Sequence, residues 1–148
     1  MRTAKLGELE VSRIGLGSLV AYSPLGHGFL TGTLRTPADL EKLDDSDFRK
    51  NNPRFTGENF QRNLRIADQV QAVADEVGAT PAQVALAWLL TKGDDIVPIP
   101  GTKRVPRVEE NTAADRIELS HEQIATLDAL PVAQGGHHTD DQMQMIER

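Results

Sequence analysis

The residues best suited to chemistry lie between Ile96 and Asn111, IVPIPGTKRVPRVEEN. Gly101 lets a backbone come close to a ligand, Thr102 offers a hydroxyl, and Lys103, Arg104 and Arg107 supply cations at the mouth of what reads as a new helix. Unpaired N–H groups at a helix start favour negative charge, so the stretch suits an anion and above all a phosphate. Pro106, near that start, fits the first helical turn. Solvated Lys and Arg in an ordinary loop stay open as the alternative. A second stretch runs from Ser23-Pro24-Leu25-Gly26 into His27-Gly28-Phe29-Leu30-Thr31-Gly32. Its closely spaced glycines suit N–H groups converging on a ligand, but the spacing is neither GxGxxG nor that of a Walker A loop. Asp44, Asp45 and Asp47 lack the spacing and the closing Glu of a calcium loop and read as a solvated loop or lid. His137-His138 has no further spaced ligand, so no metal is expected.

The elements that must position these residues follow from periodicity. Ala4–Leu6 and Val11–Ile14 read as a small hairpin around Gly7-Glu8-Leu9. Ile14-Gly15-Leu16-Gly17 is either a turn or a close approach to a ligand. Leu19-Val20-Ala21-Tyr22 reads as a strand covered on both faces. Residues 33–58 are polar and poorly periodic, which predicts a functional or disordered loop. From Asn59 the stripe Phe60, Leu64, Ala67, Gln71, Ala74, widened by Val70 and Val73, predicts a long helix closed by Gly78. Thr80-Pro81-Ala82-Gln83 is a capping box opening a second helix, which ends near Lys92-Gly93 with Trp88 packed in a core or along an edge. Ile96–Ile99 is a strand and Val105 to about Ala114 a helix. Ser120-His121-Glu122-Gln123 caps a last helix with Ile124, Leu127 and Leu130 inward, stopped by Pro131. The end, from Ala133 to Arg148, reads as mobile.

The alternation predicts an α/β protein with parallel strands. With 148 residues, the chain has one domain's worth of sequence. Aromatic residues make up only 4%, so the apolar payload is Leu, Val, Ile and Ala, and no cysteine is present for a disulfide scaffold. A formal net charge of −6 argues against nucleic acid as a partner. No run of eighteen apolar residues and no apolar leader are evident, which predicts a soluble cytoplasmic protein without a membrane partner.

Taken together, these motifs resemble the aldo/keto reductase family. RTAKLGELEVSRIGLG (2–17) is similar to the family's N-terminal hairpin and first barrel strand. Residues 19–130 resemble its last third, through VAYSPLGHGFLTG, TPAQVALAWLL, IPGTKRVPRVEEN and the Ser120 helix. The resemblance implies an α/β fold that is part of a (β/α)8 TIM barrel, occupying 1–131, with 132–148 as a flexible tail. It also implies NADP (NADPH) as cofactor. Tyr22 would stack on the nicotinamide, and Ser23, Pro24, Leu25 and Gly26 would run along the pyrophosphate, with Gly28 and Leu30 nearby. Gly101, Thr102 and Lys103 would hold the adenosine ribose and its 2′-phosphate, Arg107 would lie beside that phosphate, and Glu110 and Asn111 near adenine. The family's Asp/Tyr/Lys/His tetrad belongs to barrel strands that would fall between Gly17 and Leu19, so the chain resembles an internally truncated member with no catalytic residue of its own. The expected function is NADP-dependent hydride transfer with a small carbonyl or alcohol substrate, with turnover impaired. The alternative is a non-catalytic nucleotide-binding or protein-interaction remnant that self-associates through exposed strand edges.

Overall fold

The computed structural model describes residues 3–6, 9–12 and 18–146. Strand β1 (Thr3–Leu6) pairs antiparallel with β2 (Leu9–Ser12), Thr3 opposite Ser12 and Leu6 opposite Leu9. The second strand was expected at Val11–Ile14; it starts earlier because Leu9 pairs with Leu6 instead of joining the connection. Residues 7–8 and 13–17, including the glycine-spaced stretch from Ile14 to Gly17, lie outside the described residues.

Strand β3 (Leu19–Ala21) is followed by a glycine-rich 3-10 turn (Gly26–Thr31), helix α1 (Pro37–Glu41), a short 3-10 turn (Phe48–Asn51) and the helices α2 (Gly57–Val77) and α3 (Pro81–Leu90). Strand β4 (Ile96–Pro98) then lies parallel to β3, with Leu19 opposite Ile96 and Ala21 opposite Pro98. Helices α4 (Val105–Ala113), α5 (His121–Asp128) and α6 (Asp140–Ile146) complete the order.

The expectation that β3 is covered on both faces fails. Residues alternate across a strand, and Val20 and Val97, opposite each other in register, are 55% and 42% exposed, with Ile99 on the same side also exposed. The other face, carrying Ala21 and Ile96, is half-buried on the side of α3. A two-stranded parallel sheet has no neighbours to shield its second face, and no helix covers it among the described residues.

The core therefore lies among helices and loops. Phe29, Leu34, Phe55, Phe60 and Ala67 form one buried cluster, and Val70, Val73, Ala74, Val84 and Leu127 another. The ring of Phe29 meets Phe55 and Phe60 edge-on at 5.5 and 6.3 Å, the arrangement aromatic quadrupoles favour. The long polar segment 33–58 is thus not a loose loop. It contributes Leu34 and Phe55 to the core, and Thr36 caps α1 in a reciprocal box with Asp39.

Helix α2 ends at Gly78, which adopts the left-handed conformation (φ 68) expected of it. Its buried face is Phe60, Asn63, Ala67, Val70, Val73 and Ala74. Leu64 packs partly buried against the core as expected, and Asn63 joins the buried face beside it because it is bonded in the interior: its Nδ2 donates to the carbonyls of Arg54 (3.1 Å) and Gln134 (2.9 Å).

Helix α3 begins with the predicted box, in which Gln83 N–H donates to Thr80 Oγ1 (3.3 Å) and Thr80 N–H to Gln83 Oε1 (3.0 Å). Thr80→Ala is expected to lower stability by about 1 kcal/mol, the usual loss for an N-cap hydroxyl, as measured by urea denaturation. Trp88 packs along an edge as expected, its Nε1–H donating to the Asp128 carboxylate (2.7 Å) and so tying α3 to α5.

Residues 134–137, expected within a mobile end, are bonded to the body through Asn52, Arg54 and Asn63, and α6 follows them.

Candidate functional site

Because β3 and β4 are parallel and in register, both chains leave the sheet at the same edge, and the turns that follow lie side by side. In α/β sheets this carboxyl edge is where ligands bind. Between the two turns lies a cleft of about 550 Å³. Tyr22, Ser23, Pro24, Leu25 and Gly28 form one lip, and Gly101, Thr102, Lys103, Arg107 and Asn111 the other. The two stretches that sequence chemistry singled out separately therefore bound one hollow. Gly26, Leu30 and Glu110 do not line it. Leu30 faces a neighbouring apolar hollow of about 330 Å³ with Val70, Trp88 and Leu127. Gly26 sits inside the turn, and the Glu110 carboxylate is paired with Arg107.

The first lip is tightly wound. Ser23 (φ 49), Gly26 (φ 56), His27 (φ 58) and Gly28 (φ 90) all lie in left-handed backbone, which is uncommon for Ser and His. The N–H groups of Gly26 and Gly28 donate to the Ser23 and Leu25 carbonyls at 2.8 and 3.0 Å. They are engaged within the turn, so the expected convergence of glycine N–H groups on a ligand is not seen there. Tyr22 remains 64% exposed, its ring bordering both hollows.

The second lip is the cationic one. Thr102 Oγ1 accepts from the Arg104 N–H (3.1 Å), which fixes the approach to α4, and no side chain caps that helix start. Pro106 stands in the first turn, as expected. Among the described residues Lys103 and Arg104 form no ion pair, whereas Arg107 is bound to Glu110 one turn on. The cleft is thus locally basic in an acidic chain.

Sequence reasoning missed Arg49, Thr33 and His27 as cleft residues. Arg49 comes from the segment read as a solvated loop. Its Nη2 and Nε hold Asp47 at 2.6 and 2.9 Å, and its Nη1 reaches the His27 carbonyl at 3.4 Å. Nothing local in the sequence marks it, since it arrives through the folding of 33–58. The His27 ring has Nδ1 at 3.2 Å from Ser23 Oγ, and its Nε2 is buried without a partner. Burial, reinforced by His137, His138, Arg54 and Arg49, pushes its pKa down to about 4, so this imidazole is neutral at pH 7.

The aspartates considered for metal are committed elsewhere. Asp44 accepts from Ser46, Asp45 from Lys50 and Asp47 from Arg49. Among the described residues no group of three or more His, Cys, Asp or Glu is arranged to hold a metal ion. No described helix is long and apolar enough to cross a membrane.

Comparison with known proteins gives these features a context. Residues 15–131 match the model of the aldo/keto reductase family. The chain is 44% identical over 116 residues to Aldo-keto reductase yakc of Schizosaccharomyces pombe, whose name carries NADP(+); the match covers 78% of this chain and 33% of that protein. It is 41% identical over 123 residues to Aldo-keto reductase str7 of Strobilurus tenacellus, covering 83% of this chain and 36% of the relative. The fold is similar to that of a thermostable aldo-keto reductase, Tm1743, solved with the inhibitor epalrestat. The TM-score is 0.51 and the identity 31%, over 77% of this chain and 30% of that one. The chain therefore spans about a third of the length of the curated relatives it matches.

Proposed function

The chain belongs to the aldo/keto reductase family, and from that premise we propose that the cleft between the two turns is an NADP(H) site and that the protein is an oxidoreductase by family whose own turnover is impaired. The observation that carries this reading is the meeting of the Tyr22 turn and the Lys103 turn on one hollow, with Lys103 and Arg104 free of ion pairs among the described residues. The donor set fits the group: an extended, phosphorylated dinucleotide needs a flat apolar face at one end and fixed positive charge at the other.

In this reading the exposed Tyr22 ring takes the nicotinamide. Ser23, Pro24 and Leu25 border the pyrophosphate, with Gly26, Gly28 and Leu30 shaping their turn. Gly101, Thr102 and Lys103 take the ribose and its 2′-phosphate. Arg107, held in place by Glu110, stands beside that phosphate, and Asn111 faces the adenine side. When bound, the cofactor supplies hydride for a small carbonyl, or accepts it from the matching alcohol. Reduction also needs a proton donor and a group that stabilises the developing alkoxide. Tyr22 is the chain's single tyrosine and is assigned to stacking, so we assign no catalytic residue.

The described β3–β4 pair and its helices are read as adjoining units of a (β/α)8 barrel within residues 1–131, with 132–148 appended, in a cytoplasmic protein. The exposed face of Val20, Val97 and Ile99 favours a second reading beside this one, a remnant that self-associates through its sheet. Light scattering after size-exclusion separates the two, since a monomer at high concentration counts against assembly. Titration of NADPH fluorescence with the purified chain tests the cofactor site. Saturation below millimolar is expected, and no binding at millimolar cofactor removes the assignment.

A further inference from the structure

The family match ends at residue 131, yet the next few residues return to the body beside Tyr22 and His27, two residues that line the cleft. Gln134 and Asn63 exchange two hydrogen bonds, Gln134 N–H to Asn63 Oδ1 at 2.7 Å and Asn63 Nδ2 to the Gln134 carbonyl at 2.9 Å. Arg54 Nε donates to the Gly135 carbonyl (3.2 Å) and Asn52 Nδ2 to that of His137 (2.8 Å). Asn52 and Asn63 are themselves buried, so this is a built seat and not a surface contact. Gly135 has φ 90, and a Cβ there would stand 2.7 Å from the Pro53 carbonyl oxygen, so only glycine seats closely. Seated this way, the His137 ring packs at a tilt against its neighbours, its centroid 4.7 Å from that of His27, 4.7 Å from that of His138 and 5.5 Å from that of Tyr22. Phe48 closes the cluster edge-on to His27 at 4.7 Å.

We propose that residues 134–138 form a latch against the Tyr22 end of the cleft, docked while the packed imidazoles of His27 and His137 are neutral and released when they take up protons. The charged groups facing the cluster are Arg49, already bound to Asp47, and Arg54. Both are cations, so each proton added to His27 or His137 meets like charge in a partly desolvated setting. Docking lowers the proton affinity of His27, through burial first and then its neighbours, and of His137, through burial first and then Arg54. The released segment binds protons more readily than the docked one. Docking is therefore fully favoured above the ordinary histidine pKa of 6.5 and is progressively lost as pH falls from there toward about 4. This device does not depend on the cofactor assignment. If NADPH fails to bind, the latch stands, and if the latch fails, the cleft stands.

The test is amide hydrogen exchange on the full chain, each rate corrected for the intrinsic effect of pH. Protection of the Gln134 amide is expected to fall on the order of tenfold between pH 7.5 and pH 5, while the Ala74 amide in the interior of α2 keeps its protection. A flat Gln134 profile, or one that falls in step with Ala74, overturns the proposal. In the His27→Gln/His137→Gln double variant the Gln134 profile is expected to become flat, and persistence of the full slope overturns the assignment to these imidazoles. Gly135→Ala, which leaves every titrating group in place, is expected to remove Gln134 protection at both pH values. Retained protection there contradicts the docked geometry.

Discussion

Reversing the charge at Lys103 is expected to weaken NADPH binding by about a hundredfold while changing NADH binding only slightly. Lys103 is exposed on the basic lip, with no ion pair among the described residues, so its ammonium is free to meet a phosphate without abandoning another partner. A hydrogen bond to a charged group contributes roughly 1.5–3 kcal/mol, or about ten- to a hundredfold in affinity. Lys103→Ala removes that contribution, and Lys103→Glu adds repulsion against the same phosphate. NADH lacks the 2′-phosphate and so serves as the internal control. Arg107 behaves differently, because its guanidinium is already held by Glu110, and Arg107→Ala is expected to have the smaller effect. Isothermal titration of both cofactors against the three variants measures this. Equal losses for NADPH and NADH from Lys103→Glu contradict the assignment of this lip to the 2′-phosphate.

Phe55→Ala is expected to lower stability by about 3–5 kcal/mol, the range for deleting a buried aromatic ring. Phe55 is 1% exposed, and its ring meets that of Phe29, which is itself part of the glycine-rich turn. The cavity left behind therefore undermines the first lip as well as the core. A domain of this size has roughly 5–15 kcal/mol in total, so a substantial unfolded fraction at 37 °C is expected. Urea denaturation followed by far-UV circular dichroism measures the loss. A change below 1 kcal/mol contradicts the placement of segment 33–58 in the core.

That segment also marks where the sequence stops being legible. Local chemistry announces itself: the boxes at Thr80 and Ser120 form with the predicted partners, Gly78 closes α2, and the strand, turn and helix around Gly101 appear where expected. These features are decided by neighbours three or four residues apart. Residues whose role depends on distant partners were not visible. Asn63 looks like an ordinary polar residue until Arg54 and Gln134 deliver their carbonyls to it. Arg49 enters the cleft only because 33–58 folds back, and His27 and His137, distant in sequence, meet through the seating of Gly135.

Strand β3 misled for the opposite reason. Its apolar run implies cover on both faces, as in a sheet flanked by further strands and helices, whereas in the two-stranded sheet Val20 and Val97 face outward. The chain spans about a third of the length of the curated relatives it matches. The basic turn at Gly101 to Arg107 was singled out by its residue types and the Tyr22 turn by the family resemblance, and the parallel register of β3 with β4 brings the two side by side.

The most direct measurement of that union is residue-resolved hydrogen exchange with and without NADPH. Added protection is expected at both turns together, residues 22–28 and residues 101–107, at the same cofactor concentration, with the β1–β2 hairpin unchanged. Protection confined to one turn, or absent from both at saturating NADPH, contradicts a single dinucleotide cradle.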